Sequence, residues 1–62
     1  MKGYYELVIK ALQERGFYRI GAAKGSHEKW GNGSLVVIVP FNCYSRHTAN
    51  GVLKDAGISK KF

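Results

Sequence analysis

A hairpin is written into the middle of this chain at Gly31-Asn32-Gly33-Ser34. An Asn-Gly pair tolerates the positive φ angles of a tight β-turn, and an unbroken apolar run, residues 35–39, follows directly. That run is apolar on both faces, which predicts the centre or the best-covered part of a sheet. Pro40 ends it by removing a backbone donor. On the other side of the turn, residues 26–30 form a short polar strand on which His27 and Lys29 share one face. Lys24-Gly25 reads as a second tight turn. It is preceded by residues 17–23, where Tyr18, Ile20 and Ala22 alternate with Phe17, Arg19 and Gly21. Three consecutive strands joined by tight turns make an antiparallel meander.

Helical patterns flank the meander. Tyr4, Leu7, Val8, Ala11 and Leu12 fall on one apolar face of a helix over residues 3–15, and Gly16 can stop it in the left-handed conformation. Ala49, Val52, Leu53 and Ala56 make a second stripe. Thr48 is its expected N-cap, after a loop over residues 41–47, and Gly57-Ile58 its Schellman ending. Neither stripe can bury itself alone. The reading is an α+β domain of order α-β-β-β-α, a three-stranded antiparallel sheet with both helices on one face and the other face left to solvent.

Sixty-two residues allow only about 60% of the unfolded surface to be buried, so residues 1–62 are expected to form one domain around one thin core. Phe17, Trp30 and Phe41 are its expected aromatics. The apolar run 35–39 is far too short for a membrane span, which needs ~20 residues. The N-terminus lacks the pattern of a signal peptide, so the expected location is cytoplasmic. Cys43, the single cysteine, can form no internal disulfide and reads as a free thiol.

Ten Lys and Arg against four Asp and Glu give a net charge of +6, which favours a polyanionic partner, with nucleic acid first. Glu6, Glu14, Glu28 and Asp55 are dispersed, and no phosphate loop or dinucleotide fingerprint is present. No metal or cofactor is therefore expected. Histidine is the side chain that moves protons at neutral pH. His27, directly after Lys24-Gly25-Ser26 and beside Lys29, reads either as a surface histidine or as a base that takes the ribose 2′-OH proton while cations steady the phosphate. His47 reads as the end of a loop, or as a phosphate contact at a helix entrance.

Gly16-Phe17, Arg19 and Lys24-Gly25-Ser26-His27, then residues 36–40, Thr48 and the ending Val52-Leu53-Lys54-Asp55-Ala56-Gly57-Ile58, resemble the HicA-type, or YcfA-like, mRNA interferase toxins. The resemblance covers nearly the whole chain outside residues 41–47. It implies a double-stranded-RNA-binding-domain-like fold and metal-independent cleavage of single-stranded mRNA with His27 as the catalytic residue. It also implies a HicB-type antitoxin partner covering that face. Lys24, Lys29, Arg19, Ser26 and, more distantly, Arg46 are the expected RNA contacts. Glu28 departs from the family pattern, which has an apolar, aromatic or second histidine residue there. An acid at that position is expected to bear on RNA affinity or on the packing of the strand. Two other readings stay open: an RNA-binding module of the same fold without chemistry, and a degenerate toxin that only binds its antitoxin.

Overall fold

The computed structural model describes residues 3–62, in the order α1 (Tyr5–Glu14), β1 (Tyr18–Ala22), β2 (His27–Gly31), β3 (Val36–Pro40) and α2 (Arg46–Asp55). The strands form one antiparallel sheet in the order β1-β2-β3. Both helices cover one face, as the sequence predicts. Val8, Ala11 and Leu12 of α1, Val52 and Leu53 of α2, and Trp30, Val37 and Val39 of the sheet are buried together between the layers. Burying a leucine such as Leu12 or Leu53 completely contributes about 1.5–3 kcal/mol, which makes this cluster the main source of stability. Cys43, in the connection from β3 to α2, is also fully buried, and its carbonyl accepts the N–H of Tyr4 at 2.7 Å.

The two helices end alike. Gly16 (φ 83°) lets Phe17 donate back to the Leu12 carbonyl, and Gly57 (φ 75°) lets Ile58 donate back to Leu53. Each is a Schellman closure that turns an apolar residue, Phe17 or Ile58, into the core. The start of α2 differs from expectation. Ser45 caps it through an Oγ that accepts the His47 N–H, so Arg46, His47 and Thr48 form the first turn, and Thr48 is not the cap. Serine is as good a cap as threonine, and the earlier one is used. In α1 the buried face turns toward Tyr5 and Ile9, which leaves Leu7 half exposed.

The sheet carries three further corrections. β3 is an edge strand and β2 the central one, because two successive hairpins must put the middle strand in the middle. Val36 and Ile38 therefore stay exposed despite their apolar character. The hairpin turn centres on Gly33 (φ 94°) and Ser34, with Asn32 helping from outside through an Oδ1 that accepts both the Ser34 and Leu35 N–H groups. In β1 the register slips between Arg19 and Gly21, a bulge at Ile20 next to a residue without Cβ. The regular alternation of β1 is broken there, and Gly21 and Ala22 come to face Lys29 and Glu28. Phe17 and Trp30 are buried as expected, but Phe41 stays 55% exposed with its ring against Tyr5. Its strand has already left the core at Pro40.

Candidate functional site

β2 separates two environments by strand alternation alone. His27 and Lys29 project from the open face, Glu28 and Trp30 toward the helices. At the start of β2, residues 23–27 turn back tightly. Gly25 takes a positive φ (65°), the Ala23 N–H donates to the His27 carbonyl at 2.8 Å, and the His27 N–H returns to Lys24 at 3.3 Å. The result is a shallow depression lined by Ala23, Lys24, Gly25, Ser26, His27 and Ile38.

The imidazole of His27 is oriented within this turn. Its Nδ1 lies 3.1 Å from the Lys24 carbonyl oxygen. A carbonyl can only accept, so this contact requires the proton on Nδ1. The lone pair of the neutral ring is then on Nε2, away from the turn. Lys24, Ser26, His27 and Lys29 are all exposed, and they share this end of the open face. The arrangement offers a proton acceptor, a hydroxyl and two ammonium groups to a ligand lying on the sheet.

Arg19 and Arg46 stand apart. Arg19 pairs in register with Trp30, whose side chain faces the helices, and its Nε donates to Glu28 Oε2 at 3.0 Å. Arg46 opens α2 in the helical layer. Beyond the depression, the open face is apolar: Tyr18, Ile20, Val36 and Ile38 are each about half exposed. Gly31 lies among them, where an added Cβ would come within 2.7 Å of Ile20 Cδ1.

Glu28 is the polar centre of the opposite face. Its Oε1 accepts the Tyr5 hydroxyl at 2.5 Å and the Trp30 indole N–H at 3.2 Å, while Oε2 takes Arg19. Burial pushes its carboxyl up, but the bonds from Tyr5, Trp30 and Arg19, with the charge of Arg19, outweigh that and hold it below its ordinary 4.5. The same environment moves the Tyr5 phenol the other way. Burial, then the bond to Glu28 and its charge, push it up to about 12. Glu28 thus locks β1 and β2 to α1 and turns no charge toward His27. Of the two consequences expected from an acid at this position, packing of the strand is the one its contacts embody. The sequence holds a faint signal of this role: a carboxylate two residues before Trp30, on the same strand face.

Among the described residues, no three His, Cys, Asp or Glu side chains come together as metal ligands, and no helix is long and apolar enough to cross a membrane. A family model described as the HicA toxin of bacterial toxin-antitoxin systems matches residues 5–58. No curated protein and no solved structure matches the chain.

Proposed function

The chain belongs to the HicA toxin family, the toxin half of a toxin–antitoxin pair, and from that premise we propose that it is a metal-independent endoribonuclease acting on single-stranded mRNA. The observation that carries this reading is the His27 ring, with Nδ1 held on the Lys24 carbonyl and Nε2 left as acceptor, on the open face that also carries Lys29. Nε2 takes the proton of a ribose 2′-OH, and the oxygen attacks the adjacent phosphorus. Lys24, Lys29 and the Ser26 hydroxyl stabilise the charge that gathers on the phosphoryl oxygens. The imidazolium returns its proton to the departing 5′-oxygen. The products are a 2′,3′-cyclic phosphate and a 5′-hydroxyl, with water taking no part in the strand break.

Residues 1–62 act here as one toxin domain. The half-exposed Tyr18, Ile20, Val36 and Ile38, on the same open face as His27, support docking of a HicB-type antitoxin there, since contiguous exposed apolar surface of this kind marks interaction sites.

The test is cleavage of a labelled single-stranded RNA in excess EDTA. Cleavage is expected to persist, to leave cyclic-phosphate ends, and to fail at a 2′-deoxy substitution. Loss of activity on chelation, restored by Mg²⁺, would overturn the mechanism. Lys29→Ala is expected to weaken RNA binding for all sequences alike. It should also flatten the dependence of log K on log salt by about 0.7, the contribution of one phosphate on a single strand. A slope equal to wild type removes Lys29 from the interface.

A further inference from the structure

We propose that two copies of this chain associate by pairing their β3 strands edge to edge, forming a continuous six-stranded sheet. The proposal starts from the backbone. Asn32 donates to the Leu35 carbonyl at one end of the β2–β3 ladder, and Phe41 donates to Ser26 at the other. Between these bonds the register is unbroken, so the alternation of an antiparallel ladder directs the backbone groups of Val37 and Val39 toward β2. The N–H and C=O groups of Val36 and Ile38 point outward, to the side where the sheet has no further strand. Pro40 falls in the same outward set, and there its missing N–H costs β2 no bond.

Edge strands are ordinarily blunted by charge, bulge or cover. β1 has such protection in Arg19 and the bulge at Ile20. β3 has neither: it reads Val-Val-Ile-Val-Pro without a break in register, and residues 31–45 contain no Asp, Glu, Lys or Arg at all. All fourteen charged side chains lie outside that segment. This decides the occupant. A polyanion finds no cation on β3 itself. A second copy, also at +6, is repelled wherever charged surfaces meet but approaches freely here.

The donor–acceptor pattern is also self-complementary. With the two-fold axis at Val37, Val36 of each copy exchanges both backbone bonds with Ile38 of the other, and neither outward N–H is left over. An axis perpendicular to the sheet keeps both open faces on one side, so the two His27 side chains face the same way. Pairing uses the edge and leaves the open face uncovered.

The test combines sedimentation with amide exchange on the isolated chain, from micromolar to millimolar concentration. The expected result is a monomer–dimer equilibrium in which the Val36 and Ile38 amides become protected as the dimer forms. Val37 and Val39 should be protected at every concentration, which also reports that the sheet is intact. Val36→Lys sets a charge beside the axis and is expected to raise the dissociation constant about tenfold or more. A chain that stays monomeric at millimolar concentration overturns the proposal, as does a dimer whose Val36 and Ile38 amides exchange freely. A wild-type dissociation constant for Val36→Lys does so too.

Discussion

Replacing His27 with alanine is expected to lower RNA cleavage by about 10²- to 10⁴-fold, the usual cost of deleting a positioned acid–base group. Melting should hardly change. His27 is exposed on the open face, and substitutions at such sites cost within about 0.5 kcal/mol. His47→Ala is the matched control: His47 lies in the first turn of α2, away from the depression, and its loss should leave cleavage near wild type. The comparison needs purified variants, a labelled single-stranded RNA and thermal melts of each. Wild-type cleavage by His27→Ala would show that His27 is not the acid–base group, whereas a wild-type chain that binds RNA without cutting it would transfer the function to RNA binding without chemistry. A much lower melting temperature would make His27 a packing residue.

The second large effect belongs to its neighbour. Glu28→Ala is expected to destabilise the fold by about 2–3 kcal/mol, because the Tyr5 hydroxyl and Trp30 indole lose their acceptor in a half-buried site. In a chain of this size total stability is roughly 3–9 kcal/mol, so the loss should appear as a fall in melting temperature of about 10–20 °C. Glu28→Gln keeps an acceptor for both donors and should cost roughly half as much, since the Arg19 pair is half exposed. The acid limb gives an independent reading. The folded-state value of Glu28 is depressed, so its contribution is fully present above the ordinary 4.5 and drains away as pH falls through the folded value. Wild type should lose stability over that range more steeply than Glu28→Gln. Equal slopes, or an alanine variant that melts with wild type, would show the three bonds to be incidental.

His27 and Glu28 separate what a few neighbouring residues determine from what only the folded chain determines. Alternation along β2 was enough to put His27 and Lys29 on one face, and glycines 16 and 57 sufficed to end both helices, because each is a property of a few neighbouring residues. The place of β3 in the sheet was not local. Its apolar composition argued for the centre, yet strand order is decided by the connections, and a meander leaves its last strand at the edge. The bulge at Ile20 escaped for a related reason. Gly21 hinted at irregularity, but a register slip exists only between two strands. Ser45 and Thr48 were both competent caps, and nothing within either residue chose between them. The role of Glu28 depended on Tyr5 and Arg19, brought to it by folding from positions remote in the chain.

Cys43 gives the molecule a built-in clock. Its sulfur belongs to a fully buried residue, and burial pushes the thiol up from its ordinary value, so alkylating reagents in solution meet little reactive thiolate in the native state. Modification must wait for the connection between β3 and α2 to come away from the core. That connection is tied to the start of α1 through the Tyr4 N–H, so opening it disturbs both helical segments together. The rate of alkylation in dilute reagent therefore measures how often the native packing opens, at one intrinsic position and without an engineered label. With no second thiol in the chain, every adduct reports the same event.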